Sequence, residues 1–435
     1  MRNKGGVVEE YYLNYSGRRL NFKIPPGWNV ITEADRAPAP VAADAVAEIA
    51  RALDNPIGSP KIEELVRPGM EVALLFDDLQ RPTPAYLAIP QVLDRLNAAG
   101  VPDSRVTAVC ACGTHPALSQ EQMAAKVGGK VAARLAGRLV SHDSKSPENI
   151  TIGRTHRGIL VELNRQTALA DLAIGIGECM PHPTAGYGGG YKIVMPGVAS
   201  YRSVAEHHFA LMRNRNSTVS LLDGNPFWEE IVDAGRLSRL AFKLDFVINE
   251  KKQVIRAFAG HPEAAQRAAA GFAESLYVMR LPHHADITIT SASPLEIGVQ
   301  STKALHMGSG ATRSGGVVVW VAAQKEAGPI LPLIKEMAAA KSASEVHRDF
   351  VDGIIADDLK PFGISYIMQI VHFKDFVEKQ RIVHVTEGLT AEQVAMMGME
   401  YSNDLQKTVN TLAAEMPKAD VAIFPSGGNI IPRVG

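Results

Sequence analysis

Hydrophobic and polar positions along the chain follow two alternating patterns. Short apolar runs rich in β-branched residues predict strands, and the segments between them have the spacing of amphipathic helices. The predicted strands cover 71–76, 105–113, 171–178, two strands within 241–260, and then 285–293, 315–324, 381–388 and 419–428. The predicted helices cover 86–100, 120–135, 200–212 and 261–276. Strands that alternate with helices in this way indicate the α/β class with mainly parallel sheets.

The chain is long enough for more than one domain, since domains commonly hold about 100–150 residues. A break between a helix and a new series of strands lies at 277–284, YVMRLPHH. We therefore predict an amino-terminal α/β domain at 1–280 and a carboxyl-terminal α/β domain at 281–435, with an active-site cleft between them. The stretch 36–46, RAPAPVAADAV, has the composition of a connector.

Composition narrows the class of protein. Of the 435 residues, 46% are hydrophobic and 21% are charged, and the formal net charge is -1. This charge gives no electrostatic reason to expect a nucleic acid or an anionic membrane as partner. No apolar run approaches the roughly 18 residues of a membrane span, and the amino-terminal MRNKGGVVEEYYLNY has no signal-like apolar segment. Three cysteines cannot build a disulfide framework, so we expect a cytoplasmic location.

The segment 180–192, MPHPTAGYGGGYK, concentrates glycine ahead of a lysine. Glycines after a strand let backbone N–H groups approach an anion, so the segment predicts a phosphate-binding loop. It matches neither common template, because Ile193 follows Lys192 where a P-loop has Ser or Thr, and Pro196 soon interrupts any helix. A flexible turn with an incidental lysine is the alternative at this point.

Polar side chains follow three of the predicted strands. Asp77, Asp78 and Arg81 follow the first, His115 follows the second and His182 follows the third. Because parallel strands end at the same edge of a sheet, we expect these side chains to converge. Arg81 has the forked geometry that binds a carboxylate, and a pKa of about 6.5 suits a histidine to proton transfer. A helix-capping turn is the alternative for the first loop.

Five ordered segments resemble the lactate racemase family, in the type that carries a nickel-pincer nucleotide. They are LDNPIGSPKIEEL (53–65), DDLQRPTP (77–84), ACGTHPALSQEQ (111–122), PHPTAGYGGGYKIVMPGVASYRSVAEHH (181–208) and QSTKAL (300–305). Together they span most of the chain. Several matches in order are more specific than any single motif.

The resemblance implies a cofactor, the nickel-pincer nucleotide (pyridinium-3,5-bisthiocarboxylic acid mononucleotide nickel). Matching positions imply covalent attachment at Lys192 and a protein nickel ligand at His208, with His207 as a bystander. They imply His115 and His182 as the two catalytic histidines. The other implied positions are Asp78 and Arg81 in the first loop, Gly186, Gly188, Gly189 and Gly190 around the cofactor phosphate, and Gln300 and Lys303 in the second domain.

The implied reaction is racemisation or epimerisation at C2 of a 2-hydroxy acid. Removing the C2 hydrogen as a proton next to a carboxylate is very unfavourable, whereas removing it as hydride leaves a planar 2-keto acid. One histidine would accept the hydroxyl proton while the other serves the opposite face, and Arg81 and Lys303 would hold the carboxylate. The implied partners are a small-molecule 2-hydroxy acid and the cofactor-biosynthesis proteins.

The chain departs from the family pattern at several positions. Gly188 and Tyr191 stand where serine and arginine are common, Leu79-Gln80 replaces a polar-threonine pair, Pro116 replaces an arginine, and PLEIGVQSTK is one residue shorter. These changes favour a larger or differently polar 2-hydroxy acid, such as a sugar acid, as strongly as lactate.

Two other functions stay open from the residues alone. One is an NAD-type dehydrogenase of a 2-hydroxy acid, although the chain has no G-x-G-x-x-G that follows a strand and opens a helix. The other is a non-catalytic protein that binds a phosphate-bearing ligand.

Overall fold

The computed structural model describes residues 9–33, 40–249, 251–296, 298–325 and 327–435. Its strands are β1 (Glu10–Tyr15), β2 (Arg18–Lys23), β3 (Trp28–Glu33), β4 (Val72–Asp77), β5 (Val106–Ala111), β6 (Leu139–Ser141), β7 (Ile150–Arg154), β8 (Leu160–Leu163), β9 (Leu172–Glu178), β10 (Pro181–His182), β11 (Gly186–Tyr187), β12 (Leu240–Ile248), β13 (Val254–Gly260), β14 (Val278–Leu281), β15 (Ala285–Ser291), β16 (Thr312–Val321), β17 (Arg381–Val385), β18 (Glu400–Ser402), β19 (Ala419–Phe424) and β20 (Ile431–Val434).

The α-helices follow the same order along the chain. They are α1 (Ala45–Asp54), α2 (Ile62–Leu65), α3 (Ala85–Ala98), α4 (Gln120–Val127), α5 (Gly129–Arg134), α6 (Arg165–Leu169), α7 (Tyr201–Leu211), α8 (Pro226–Leu237), α9 (Pro262–Tyr277), α10 (Thr302–Ala311), α11 (Leu331–Met337), α12 (Ala343–Val351), α13 (Ile364–Lys379), α14 (Ala391–Met396) and α15 (Leu405–Glu415). Short 3-10 turns cover Asp103–Arg105, Gly190–Ile193, Gly298–Ser301, Gly328–Ile330 and Gly427–Asn429. Within the described residues, no helix has both the length and the apolar character needed to cross a bilayer.

The described chain divides into two compact units. The first unit is built from residues within 38–275 together with 362–364, and the second from 276–361, 365–435 and the amino-terminal strands. The predicted domains, 1–280 and 281–435, differ from these units at the amino terminus, because β3 pairs in parallel with β19. Residues 36–39 of the predicted connector lie outside the described residues, and 40–44 lead into α1. The cleft between the two domains stays a prediction.

A six-stranded sheet forms the centre of the first unit, in the order β13-β12-β9-β4-β5-β6. Neighbouring strands are parallel, except in the antiparallel pair of β12 and β13. Strands β4 and β9 are buried along their whole length, which explains why their sequences are continuous apolar runs. Side chains such as Phe76, Val92, Val106 and Phe246 from the sheet and α3 share one hydrophobic core.

The strand order places three loops at one edge of this sheet. Strand β4 lies between β5 and β9, so the chain leaves β4 toward one side of the sheet and later returns on the other side. The carboxyl ends of strands at such a reversal are where α/β proteins commonly bind ligands. The loops after β4, β5 and β9 are therefore the expected location of a ligand-binding site.

The second unit has its own sheet of six parallel strands, in the order β18-β17-β16-β15-β19-β3. Two-stranded pairs, β1 with β2 and β14 with β20, complete its strands. Its hydrophobic core includes Phe22, Ile289, Val319, Val409 and Ile423.

The predicted α/β class with mainly parallel sheets is confirmed by both central sheets. One predicted helix, 120–135, is two helices, because the chain turns at Gly128 between α4 and α5. Eleven strands escaped prediction, and most of them have too few residues for a period of two to show: β1, β2, β3, β6, β7, β8, β10, β11, β14, β18 and β20.

Candidate active site

A carboxylate–histidine pair joins the loops that follow β4 and β5. Asp78 is buried, and its Oδ2 lies 2.7 Å from Nδ1 of His115. Burial by itself would raise the pKa of Asp78, but the hydrogen bond from His115 and the charges of His115 and Arg81 outweigh burial and hold that pKa below its usual value. Because an ionised carboxylate only accepts hydrogen bonds, a neutral His115 ring carries its hydrogen on Nδ1 and its lone pair on Nε2.

The neighbouring carboxylate, Asp77, stabilises the loop after β4. Its Oδ1 lies 2.9 Å from Nζ of Lys126, and its Oδ2 accepts a hydrogen bond from the Thr83 hydroxyl. Lys126 also donates to the backbone oxygen of Arg81 at 2.8 Å. Asp77 therefore supports the loop that carries Asp78 and Arg81. Sequence reasoning missed the buried Lys126. The signal that could have revealed it is a lysine on the packed face of α4.

The guanidinium of Arg81 lies beside the end of β9. Its Nε is 3.6 Å from Oε1 of Glu178, a buried carboxylate at the last position of that strand. The predicted convergence of the loops after β4 and β9 is thus observed at Arg81. Its predicted role in holding a substrate carboxylate stays a prediction.

His182 lies in the small antiparallel pair of β10 and β11. Its Nδ1 accepts hydrogen bonds from the backbone N–H groups of Ala185, at 3.1 Å, and Thr184, at 3.3 Å. A neutral ring in this position therefore carries its hydrogen on Nε2. The two predicted catalytic histidines have opposite tautomers, because His115 is held by an acceptor and His182 by donors.

The glycine loop, residues 186–193, packs against two polar side chains from β12 and α9. Asp245 Oδ2 accepts the N–H of Gly190 at 2.9 Å, and Gln266 Nε2 donates to the backbone oxygen of Gly188 at 2.9 Å. A Cβ added at Gly189 would lie 2.8 Å from the Asp245 carboxylate, and one at Gly190 would collide with the Gln266 amide. Both glycines also have positive φ, 82° and 53°, so these glycines permit a close approach that other residues would block.

Two backbone N–H groups of this loop have hydrogen-bond partners within the protein. The N–H of Gly188 donates to the backbone oxygen of Met180 at 2.8 Å, and that of Gly190 donates to Asp245. In this conformation both N–H groups bind within the protein, and the phosphate-binding role of the loop stays a prediction. That the loop, including Gly186 and Gly189, lies beside a cofactor stays a prediction.

Asp245 is itself half of a buried ion pair. Nζ of Lys243 lies 2.5 Å from Oδ1 of Asp245, and both residues are fully buried on β12. Residues two apart on a strand point to the same face, so the pair forms within one strand. Two opposite charges inside the apolar run LAFKLDFVI were the signal that sequence reasoning missed.

Lys192 lies near the end of the glycine loop, and no carboxylate of the described residues forms an ion pair with it. Its side chain is half-buried, and none of the ion pairs among the described residues involves it. Burial disfavours the ammonium form and the charge of Arg81 adds to this effect, so the pKa of Lys192 is lowered to about 7. A large fraction of its side chain is then a neutral amine at neutral pH, which is the nucleophilic form.

Helix α7 brings two adjacent histidines close to Lys192. Ser200 caps the helix, and His207 and His208 are both buried. Their Nδ1 atoms lie 3.0 Å apart, and Nε2 of His207 lies 3.0 Å from the backbone oxygen of Phe227. Burial is the main cause that lowers the pKa of His207 to about 3 and that of His208 well below its ordinary value, and the charge of Lys192 contributes to both shifts.

The predicted site residues therefore fall into two groups. Contacts and electrostatic interactions within the first unit connect Asp78, His115, Arg81, Lys192 and His208, and His182 lies in the segment that follows β9. The other group belongs to the second unit, where Gln300 lies in the turn Gly298–Ser301 and the buried Lys303 lies in α10. Ile297, within the segment predicted to be shortened, lies outside the described residues. That Gln300 and Lys303 close over the site stays a prediction.

Comparison with known proteins links this arrangement to a family. Residues 15–220 match the family model described as the lactate racemase N-terminal domain. The lactate racemase of Lactiplantibacillus plantarum is 28% identical over 88% of this chain and 90% of its own length. The lactate racemase of Thermoanaerobacterium thermosaccharolyticum is 31% identical over 88% of this chain and 90% of its own length.

Two solved structures share the fold. The lactate racemase apoprotein from T. thermosaccharolyticum superposes with a TM-score of 0.84 at 24% identity, and the match covers 98% of this chain and 100% of that one. A protein from Thermotoga maritima has a TM-score of 0.61 at 18% identity, covering 88% of this chain and 100% of that one. With a relative above 30% identity over most of both sequences, the chain belongs to the lactate racemase family of isomerases.

Proposed function

We propose that the protein inverts the C2 centre of a 2-hydroxy acid by reversible hydride transfer, with a nickel-pincer nucleotide attached to Lys192. The observation that carries the proposal is Lys192 itself, a half-buried lysine with a pKa of about 7, no ion pair among the described residues and a neighbouring histidine pair. Membership of the family favours a racemase over the dehydrogenase and the non-catalytic alternatives.

The residues around Lys192 fit the proposed cofactor. A neutral amine is what covalent attachment requires, and the imidazole of His208 is an ordinary nickel ligand beside sulfur donors. The bound cofactor would supply a reversible acceptor for the C2 hydride. The chain would then provide binding, orientation and proton transfer.

His115 is the better placed of the two bases. Its Nδ1–H donates to Asp78, so Nε2 offers a lone pair to the substrate hydroxyl. Asp78 fixes this tautomer and stabilises the imidazolium that forms when the hydroxyl proton is taken. The low pKa of Asp78 keeps the carboxylate ionised for that role.

His182 has the opposite tautomer to His115, with its hydrogen on Nε2. With Nδ1 accepting from Ala185 and Thr184, its Nε2–H donates a hydrogen bond to a substrate oxygen. To accept a proton in the opposite direction, the ring must carry hydrogen on Nδ1 and lose both backbone donors. The two directions of the reaction therefore use His115 and His182 unequally.

The substrate is a 2-hydroxy acid whose carboxylate is held by Arg81 and Lys303, and it need not be lactate. Tyr191, which stands where relatives often have arginine, is buried, and its ring packs where a side chain at Gly235 would go. This position therefore supplies no cation to a phosphate or a substrate. We expect a cytoplasmic enzyme that depends on cofactor-biosynthesis proteins.

The first experiment is an intact mass of the protein made with and without the cofactor-building enzymes. We expect an added mass that maps to Lys192, together with retained nickel. Single enantiomers of lactate, malate, aromatic lactates and aldonic acids then identify the substrate by inversion. A bare chain without nickel under these conditions would refute the proposal.

Substitution of the histidines tests the acid–base roles. His115→Ala and His182→Ala should each lower turnover by about 10²–10⁴-fold, because each removes a group that moves a proton. The added mass on Lys192 should remain in both variants. Substantial turnover in either variant would contradict the two-histidine mechanism.

A further inference from the structure

His207 is a polar side chain that the proposed reaction leaves without a task. It is fully buried, yet both of its ring nitrogens have partners. Nε2 lies 3.0 Å from the backbone oxygen of Phe227, and Nδ1 lies 3.0 Å from Nδ1 of His208. The sequence predicted a bystander, but these contacts connect His207 directly to the proposed nickel ligand.

Counting hydrogens assigns the direction of both bonds. A carbonyl oxygen only accepts, so the ring hydrogen of His207 lies on Nε2. Both rings are buried beside an aromatic ring, where an imidazolium is disfavoured, and a neutral imidazole has one N–H. Nδ1 of His207 is therefore an acceptor, and the hydrogen between the rings belongs to Nδ1 of His208, whose ring also hydrogen-bonds the backbone of Val204. That leaves the lone pair of His208 on Nε2.

The carbonyl at the start of this chain of hydrogen bonds is held firmly. Phe227 lies in the first turn of α8, which is capped by the buried side chain of Asn225. The Asn225 amide also donates to the backbone oxygens of Thr184, at 2.9 Å, and Leu221, at 3.0 Å. The ring of Phe227 packs edge-on against both histidines, with centroids 4.5 and 4.8 Å away.

We propose that His207 is a positioning residue that holds His208 in the tautomer and orientation that present Nε2 to a metal ion. The opposite tautomer of His208 would set two lone pairs against each other and lose the bond between the rings. A second histidine thus does for His208 what a carboxylate or carbonyl does for many metal-bound histidines. This inference rests on the proposed function, since that function makes His208 the nickel ligand.

Two variants separate hydrogen bonding from packing. His207→Gln keeps an acceptor for His208 and a donor for Phe227, whereas His207→Phe keeps an aromatic ring and removes both. After loading with the cofactor-building enzymes, nickel retained against a chelator should fall about 10–100-fold in His207→Phe and stay near wild type in His207→Gln. The added mass on Lys192 should be unchanged in both, because Lys192 is not altered.

The outcomes distinguish this inference from the proposed function. If wild-type protein takes up neither added mass nor nickel, the proposed function fails. If wild type loads and His207→Phe holds nickel as tightly as wild type does, only the role of His207 fails.

A measurement on the unsubstituted protein covers the case in which His207→Phe does not fold. Imidazole ¹⁵N spectra of the metal-free chain, assigned with His207→Gln and His208→Gln, should show hydrogen on Nδ1 of His208 and on Nε2 of His207. Hydrogen on Nε2 of His208 would overturn the assignment.

Discussion

A fully buried lysine and a half-buried lysine near the glycine loop differ in their partners. Lys243 lies fully buried on β12 with Nζ 2.5 Å from the carboxylate of Asp245. Lys192 ends the loop itself, where burial and the charge of Arg81 lower its pKa to about 7. A carboxylate offsets the desolvation of a buried ammonium, and without it the amine gives up its proton. A carboxylate partner, rather than burial alone, therefore decides whether a lysine of this region keeps its proton.

The largest difference between the two lysines is expected in the stability of the protein when each is removed in turn. Lys243→Met should lower the free energy of unfolding by about 3–5 kcal/mol, because it leaves the Asp245 carboxylate buried without its cation. Lys192→Met is the matched control, with an expected change within about 0.5 kcal/mol, since it removes no ion pair. Equilibrium urea unfolding measures both, and equal losses would contradict the distinction.

The pH dependence of acylation tests whether Lys192 loses its proton near neutral pH. Burial disfavours the protonated form of Lys192, so it loses its proton at lower pH than a model lysine with a pKa of about 10.4. In the cofactor-free protein, the acetylation rate of Lys192 should rise through a pH of about 7 and then level off. Peptide mapping after short pulses gives the profile, with a lysine-containing peptide as control. A profile that keeps rising to pH 10 with the peptide would show that Lys192 is an ordinary lysine.

A smaller loss of stability is expected when Gln266, the uncharged side chain that holds the same loop, is removed. Gln266 accepts from the Trp228 ring N–H at 3.0 Å and donates to the Gly188 backbone oxygen. Gln266→Ala should cost about 1–3 kcal/mol in the free energy of unfolding, because two buried polar groups lose their partner. Gln120→Ala, at an exposed glutamine that also donates to a backbone oxygen, should change it by no more than about 0.5 kcal/mol. If Gln266→Ala lowered the free energy of unfolding as much as Lys243→Met does, the charge of the Lys243–Asp245 pair would not explain the larger effect expected there.

Much of the first unit could be predicted from local patterns. Strands β4, β5 and β9 are apolar runs, and the residues after them are polar because they leave the core at the carboxyl edge of a parallel sheet. That pattern indicates Asp77, Asp78, Arg81, His115 and His182, and the family resemblance implies which of them take part in the reaction.

The supports of the site could not be predicted in the same way. Gln266 reaches the loop from α9. The Phe227 carbonyl, which accepts from His207 of α7, lies in α8, so neither partner is visible in the local sequence. The donors around Nδ1 of His182 are backbone groups, whose direction no residue type reveals. The pairing of β3 with β19 joins opposite ends of the chain, which local periodicity does not show.

The side chain of Asn225 connects the segment that carries His182 to the helix that contacts His207. One end of its amide holds the Thr184 carbonyl, next to the backbone that orients His182, and the other caps the helix whose Phe227 carbonyl orients His207. A change that moves either segment is transmitted to the other through a single planar group about the size of a peptide bond. Redesign for a bulkier substrate on the His182 side would therefore have to begin with the helix whose Phe227 carbonyl accepts from His207, the neighbour of the proposed nickel ligand.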